Sequence, residues 1–186
     1  MENTMKKGLI IIDVQNDYFK GGAMELVGME DAAENCRTLL ENFREAGLPI
    51  FHVQHFSIQE GAAFFIPNTT GSEIHESVTP REDEVLITKN YPSAFRDTGL
   101  HGILQKSQVK ELVVCGAMSH MCIDTTVRAA FDSGYSCRLI SDACATRNLE
   151  FEGKVIKASD VHAAFMASLG GPFAAVLTTQ AFLKST

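Results

Sequence analysis

Three residues of this chain, Asp13, Lys89 and Cys122, carry side chains that together could hydrolyse an amide. A cysteine sulfur can attack a carbonyl carbon, a carboxylate can take the thiol proton and pass it to a leaving amine, and an ammonium group can hold both partners in place. Each residue alone has a commoner explanation, as a turn residue, a solvated charge or a small buried hydrophobe. The set is therefore informative only if the fold brings the three together.

Each of the three residues follows a predicted strand. Asp13 ends the apolar run 8–13, Lys89 comes directly after 85–88, and Cys122 opens a helix that follows the strand 111–115. In open parallel sheets, ligands bind outside the carboxyl ends of the strands, so we expect the three side chains to meet there. Because backbone N–H groups and the helix dipole lower a thiol pKa, we also expect Cys122 to be a reactive thiol.

The rest of the chain predicts the sheet that this arrangement requires. Further strands are predicted over 50–55, 137–141 and 174–177, with helices over about 30–46, near 100–104, and over 120–131 and 158–169. Alternating strands and helices imply parallel pairing through right-handed crossovers. We predict one domain over 1–186 with a three-layer, doubly wound, Rossmann-like α/β fold and a six-stranded, mostly parallel sheet.

Two segments lie outside this alternation. The segment 56–83 has no clean hydrophobic period and is interpreted as a functional loop. The tail 170–183 fits either an edge strand with a helix or an interface.

Composition excludes several classes of protein. Residues are 45% hydrophobic and 21% charged, and the sequence has no apolar run near the ~20 residues of a membrane span, so no membrane partner is expected. Sixteen Lys and Arg against 23 Asp and Glu give a charge of -7, which opposes nucleic-acid binding. Five cysteines without a CxxC pair, and no signal-peptide pattern, predict reduced thiols and a cytoplasmic location.

Four motifs, in order along nearly the whole chain, resemble those of the isochorismatase-like cysteine hydrolase family, to which nicotinamidase and N-carbamoylsarcosine amidase are related. They are the segment DVQNDYF at 13–19, the loop residues Phe64, Pro67, Gly71 and Ile74-His75, the segment KNYPSAF at 89–95, and the turn GAMSHMC at 116–122 followed by VRAA at 127–130. One such motif would be weak evidence, but four in the correct strand context are strong.

The resemblance implies a role for each chemical residue. Asp13 is expected to be the general base and acid, Lys89 the third member of the triad, and Cys122 the nucleophile that forms an acyl-thioester. The family places a cis peptide before the nucleophile, here between Ala117 and Met118, in a turn whose N–H groups face the oxyanion. The resemblance thus predicts hydrolysis of a C–N, amide-type bond of a small molecule, without a cofactor, by a homodimer or homotetramer.

Seven further residues are expected to contact substrate. Aromatic side chains are predicted to wall the pocket, although they fit an apolar core equally well, and His120 fits either substrate contact or helix capping. Ser119 stands where the family often has threonine, which preserves the hydroxyl. The predicted substrate-binding residues are Gln15, Phe19, Phe64, Tyr91, Phe95, Ser119 and His120.

Metal ligation is not expected. The nicotinamidase branch carries a D-x-H…H zinc cluster after the second strand, whereas this chain has HVQHFS at 52–57, without an aspartate. His52 and His55 are three residues apart and face opposite sides of a strand, so they cannot readily bind one ion. We expect His55 to line the pocket and His52 to be structural.

Three other functions stay open. The first is isochorismatase-type cleavage of a vinyl ether, which the presence of Cys122 disfavours. The second is a non-catalytic, flavodoxin-like binding module, although the sequence has neither GxGxxG after the first strand nor GxxxxGK[ST] to bind phosphate. The third is a thiol redox protein, which the missing CxxC disfavours. Among amide-type substrates, nicotinamide-like, carbamoyl and ureido compounds all remain possible.

Overall fold

The computed structural model describes residues 6–185. Its strands are β1 (Lys7–Ile12), β2 (Ile50–His55), β3 (Val85–Lys89), β4 (Glu111–Ala117), β5 (Ser136–Ala145), β6 (Leu149–Phe151), β7 (Lys154–Ile156) and β8 (Ala175–Leu177). Its helices are α1 (Met29–Glu45), α2 (Leu100–Lys106), α3 (Asp124–Asp132), α4 (Ala158–Leu169) and α5 (Thr179–Lys184), with a π-helical turn over Ser119–Ile123 directly before α3.

Six strands form one sheet in the order β3-β2-β1-β4-β5-β8, and every neighbouring pair is parallel. The strand order reverses next to β1, as in doubly wound folds, where the crevice at the reversal is the usual ligand site. The predicted six-stranded, doubly wound α/β fold is thus confirmed. Strands β6 and β7 form a separate antiparallel hairpin that the sequence did not predict.

Apolar cores cover both faces of the sheet, and β1 shows why. Leu9 and Ile11 belong to one core, which contains the buried face of α1 and Phe182 of α5. Ile10 and Ile12 belong to the other core, to which α2, α3 and α4 contribute. Because successive side chains of a strand point to opposite faces, a strand between two helix layers must be apolar at every position, which explains the continuous run in the sequence.

Two elements differ from their predictions, and the tail takes one of its two predicted forms. Strand β5 continues to Ala145 rather than ending at 141, and the predicted helix 120–131 begins as the π-helical turn. The tail forms an edge strand and a helix, β8 and α5. No helix in residues 6–185 combines the length and apolar character needed to span a bilayer.

Candidate active site

Lys89 lies at the centre of the cluster that the sequence predicted. Its Nζ donates to Asp13 Oδ2 at 2.7 Å and to Cys122 Sγ at 3.3 Å, and it is 2.8 Å from His55 Nδ1. Asp13 and Lys89 side chains are 0% exposed, and Cys122 is 3% exposed. The structure therefore brings the three predicted residues together and adds His55 to them.

The strand ends bring these residues to one edge of the sheet. His55 pairs with Lys89 in the β2–β3 register, so both side chains leave the sheet at the same level. Asp13 directly follows β1, and its N–H bonds to the carbonyl of Val53 on β2 at 3.0 Å. Its φ of 53° is in the left-handed region, where aspartate is one of the few residues tolerated. This turn lets the chain leave the sheet while the carboxylate stays beside Lys89.

The nucleophile is carried by the turn between β4 and α3. The peptide bond between Ala117 and Met118 is cis, as the family resemblance implied. Just before it, Gly116 has φ 117°, and a Cβ there would lie 2.0 Å from the carbonyl oxygen of Ile12. Only glycine permits this close approach of β4 to the end of β1. The approach places the turn that bears Cys122 directly beside Asp13.

The charge state of Cys122 differs from the sequence expectation. Burial and the neighbouring Asp13 raise the pKa of the thiol well above its ordinary value, and Lys89 opposes the shift only in part. The expectation of a lowered pKa was wrong, because desolvation in this enclosed position outweighs the field at the start of the helical segment. At neutral pH the resting site therefore holds a neutral thiol beside a base. Asp13 Oδ1 is buried and has no hydrogen-bond partner among residues 6–185, so it is free to accept a proton.

A hydrogen bond joins the Lys89 ammonium to the His55 ring. Burial and Lys89 lower the pKa of His55 to about 4, so its ring is neutral near pH 7 and accepts from the ammonium. Burial lowers the pKa of Lys89, but Asp13 and Cys122 more than offset that effect, so the pKa is raised overall. Lys89 thus stays a cation with three acceptors for its three N–H bonds.

The same cluster has the spacing of a metal site. Asp13, His55 and Cys122 offer ligand atoms within 4.8 Å of one another. The Lys89 ammonium is, however, already within hydrogen-bond distance of all three, and a metal ion there would have to displace a buried cation. The arrangement therefore favours an ammonium-centred site. The absence of a catalytic metal stays a prediction.

A cavity of about 330 Å³ opens over Cys122. The loop that follows β2 and the segment that follows Lys89 form its sides, whereas a functional role of 56–83 stays a prediction. Aromatic and small side chains dominate the surface. The lining residues are Tyr18, His55, Ser57, Gln59, Glu60, Gly61, Ala62, Ala63, Phe64, Phe65, Asn90, Tyr91, Pro92, Met121 and Cys122.

Of the seven predicted substrate-binding residues, Phe64 and Tyr91 line this cavity. Gln15 does not, because its buried side chain is bonded at both ends: the amide nitrogen donates to the carbonyls of His55 and Ser72, and the oxygen accepts from the His55 N–H. Gln15 therefore fixes the end of β2 and the position of His55. Ser119 is buried too, donates to the carbonyl of Ala145 and contacts His162.

The other three predicted residues also lie outside the cavity lining. Phe19 stacks on His75 with ring centroids 3.6 Å apart, and Phe95 packs into the core beneath α2 and α3. His120 bonds through Nδ1 to the hydroxyl of Thr146. Phe19 and Phe95 thus pack with the two apolar cores, which was the alternative that the sequence left open for the aromatic residues.

Several cavity residues were missed. Tyr18 and Asn90 were within reach of sequence reasoning, because each lies inside one of the four motifs. Phe65 is brought in by a long-range contact, since its N–H donates to the Asp17 carboxylate at 2.6 Å. No local pattern signals that contact. His52, by contrast, pairs with Glu84, which also accepts from Arg44, away from the cavity, as expected of a structural residue.

The doubly wound sheet, with Asp13, Lys89 and Cys122 buried together at its carboxyl edge, has the architecture of the isochorismatase-like hydrolases. The sequence matches the isochorismatase domain family over residues 7–181. The chain therefore belongs to the isochorismatase family.

Individual relatives agree with this assignment. An uncharacterized isochorismatase family protein of Bacillus subtilis, YddQ, is 55% identical over 97% of this chain and 100% of its own length. A streptothricin hydrolase of Streptomyces noursei is 35% identical over 77% of this chain and 51% of its own, and nicotinamidase 3 of Arabidopsis thaliana is 31% identical over 80% and 77%. The crystal structure of a putative isochorismatase hydrolase from Oleispira antarctica superposes with a TM-score of 0.94, 44% identity and 99% coverage of both chains.

Proposed function

We propose that this chain is a cysteine-dependent hydrolase that cleaves a C–N, amide-type bond of a small molecule. The observation that carries the proposal is the convergence of Asp13 and Cys122 on the buried Lys89 ammonium at the floor of a cavity. Relatives named nicotinamidase and streptothricin hydrolase support hydrolytic chemistry on small molecules.

The first half of the reaction acylates Cys122. Asp13 takes the thiol proton as the sulfur attacks the substrate carbonyl carbon, and the negative charge passes to the oxyanion, which backbone N–H groups of the turn at Met118 and Cys122 are proposed to stabilise. The C–N bond then breaks, and Asp13 delivers its proton to the leaving nitrogen. Because the proton moves between two groups that both contact Lys89, the net charge around the ammonium stays constant.

The second half regenerates the enzyme. Asp13 takes a proton from water as the oxygen attacks the thioester carbonyl, and the C–S bond breaks as that proton returns to sulfur. Over both halves, the C–N bond of the substrate is replaced by a C–O bond from water, and no oxidant, reductant or cofactor takes part. Lys89 holds both the carboxylate and the sulfur throughout, so its removal should misplace two reacting groups at once.

A screen of small carboxamides, carbamoyl and ureido compounds for release of ammonia or amine, with intact-protein mass spectrometry during turnover, tests the proposal. We expect an adduct on Cys122 with the mass of the acyl group. Cys122→Ala should abolish turnover and adduct, while Cys137→Ala, a buried cysteine on β5, should retain both. Turnover of a vinyl ether without an adduct would instead support the isochorismatase reaction.

A further inference from the structure

The cavity surface is almost free of charge. Its walls present the rings of Tyr18, Phe64, Phe65 and Tyr91, and its polar groups are neutral hydroxyl, amide, thiol and imidazole. Glu60, at the exposed mouth, is the one residue with a formal charge at neutral pH among the described lining residues. On the described cavity surface, a bound ligand therefore meets a negative formal charge and no positive one.

The buried cation beneath the cavity has no capacity left for a ligand. An ammonium group donates three hydrogen bonds, and those of Lys89 are directed to Asp13, His55 and Cys122 at 2.7, 2.8 and 3.3 Å. A substrate carboxylate would have to compete with Asp13 for this group. It would also place a second negative charge beside the Asp13 carboxylate.

Two arginines near the cavity are placed differently from a carboxylate clamp. Arg96 stacks on Tyr91, 3.6 Å from the ring centroid, but its side chain is 61% exposed and pairs with Asp97. Arg147 Nε is buried without a hydrogen-bond partner among residues 6–185, but Arg147 contributes no surface to the cavity. Neither guanidinium is thus part of the surface that a ligand lying over Cys122 would contact.

We infer that the site takes flat, uncharged or cationic carboxamides and excludes substrates that carry a carboxylate, with Glu60 as a specificity-determining residue at the mouth. This inference rests on the proposed function and narrows its substrate class. A ring-lined cavity desolvates a ligand carboxylate without supplying a cationic partner, which is costly, whereas aromatic faces and Glu60 favour a cation. Carboxylate-bearing carbamoyl and ureido compounds are thereby removed from the candidates.

Three ligands of equal shape and different charge, benzamide, benzoate and benzamidine, test the inference without knowledge of the substrate. Each is added to the full chain at increasing concentration, and alkylation of Cys122 by iodoacetamide is followed by peptide mass spectrometry, with Cys115 as a buried internal reference. We expect benzamide and benzamidine to protect Cys122 and benzoate to need at least about tenfold higher concentration.

The substitution Glu60→Gln tests the contribution of the carboxylate at the mouth of the cavity. It should weaken protection by benzamidine about threefold relative to protection by benzamide, as for an exposed ion pair. Glu45→Gln is the matched control, because Glu45 is exposed at the end of α1, which precedes β2 and so lies at the opposite edge of the sheet. It should leave all three ligands unaffected.

The outcomes separate this inference from the proposed function. If Cys122 reacts readily and benzoate protects as well as benzamide, or if none of the ligands protects, the inferred substrate class is wrong and the cysteine hydrolase survives. An equal loss of benzamidine protection in Glu60→Gln and Glu45→Gln would contradict the role of Glu60 as a specificity-determining residue. If Cys122 is no more reactive than Cys115 without ligand, the nucleophile and the inference fall together.

Discussion

At the scale of single residues, the triad is held by a fourth group. Asp13 and Cys122 accept two of the three N–H bonds of Lys89, and His55 accepts the third at 2.8 Å. Gln15 holds the backbone of His55 from both its N–H and its carbonyl. His55 is thus a positioning residue that aims the ammonium, and this role is separable from chemistry on the substrate.

His55→Leu should slow alkylation of Cys122 and turnover about tenfold, because a buried charged donor without an acceptor costs about 1–3 kcal/mol and the ammonium reorients to avoid it. His55→Asn should recover most of the loss, since its amide oxygen lies near the position of Nδ1. Alkylation rates across pH, with circular dichroism as a folding control, give the comparison. Equal losses in the two variants would show that the ring, rather than the acceptor, is needed.

The Asp13 carboxylate and the Lys89 ammonium act on the Cys122 thiol with opposite signs. The carboxylate raises the pKa of the thiol and the ammonium lowers it. Asp13→Asn removes the first effect and keeps the second, so the thiol should ionise at a lower pH than in the wild type. Turnover should nevertheless fall by at least about 100-fold, because the general base and acid is lost.

Absorbance of the thiolate across pH, compared between Asp13→Asn and the double variant Asp13→Asn/Cys122→Ala, isolates the titration of Cys122. If the pH midpoint of thiolate formation is higher in Asp13→Asn than in the wild type, the Asp13 carboxylate does not raise the pKa of Cys122 and the electrostatic account is wrong. Turnover near the wild-type level would show that another group moves the proton.

At the scale of elements, the sequence located the strand ends but not the loops between them. Asp13, Lys89 and Cys122 each follow a continuous apolar strand, so local pattern and parallel topology suffice to bring them to one edge. The cavity walls depend instead on 56–83, whose course is fixed by distant groups such as the Asp17 carboxylate, which binds the N–H of Phe65. The hairpin of β6 and β7 was missed because three-residue strands are too short to show a period.

The close approach of β4 to the end of β1 depends on Gly116, so a substitution there tests how much this contact stabilises the fold. Gly116→Ala adds a Cβ 2.0 Å from the carbonyl oxygen of Ile12 at a φ of 117°. Backbone strain and overpacking, each about 1–3 kcal/mol, should lower the free energy of unfolding by more than about 2 kcal/mol. Alkylation of Cys122 should also change, because Asp13 directly follows Ile12.

Gly102→Ala provides the control for that substitution. Gly102 lies within α2, and a Cβ there meets nothing within 4 Å. Alanine should therefore be neutral or stabilise the helix by up to about 1 kcal/mol. Urea unfolding of both variants gives the comparison, and an unchanged stability in Gly116→Ala would mean that β1 and β4 can separate without cost.

At the scale of the whole molecule, buried ionisable groups tie stability to pH. Burial lowers the pKa of His52 despite its contact with Glu84, and burial with Lys89 lowers that of His55 to about 4. Burial raises the pKa of Glu84, but Arg44, the Arg81 N–H and His52 overcome it and bring it to about 2. Assembly is a separate matter at this scale: a homodimer or homotetramer, and one domain over 1–186, stay predictions.

The lowered pKa of His55 determines whether the stability of the fold rises or falls with pH. Below the unfolded value of about 6.5, the unfolded chain binds a proton that the folded chain refuses until about pH 4, so stability falls as pH decreases through this window. Because His55→Asn cannot titrate at this position, its slope of unfolding free energy between these pH values should be flatter than that of the wild type. Urea unfolding at several pH values measures both slopes. If the unfolding free energy of His55→Asn falls with decreasing pH as steeply as that of the wild type, the folded protein does not keep the His55 ring neutral. The ring would then not accept from Lys89, and the ammonium-centred arrangement of the site would be wrong.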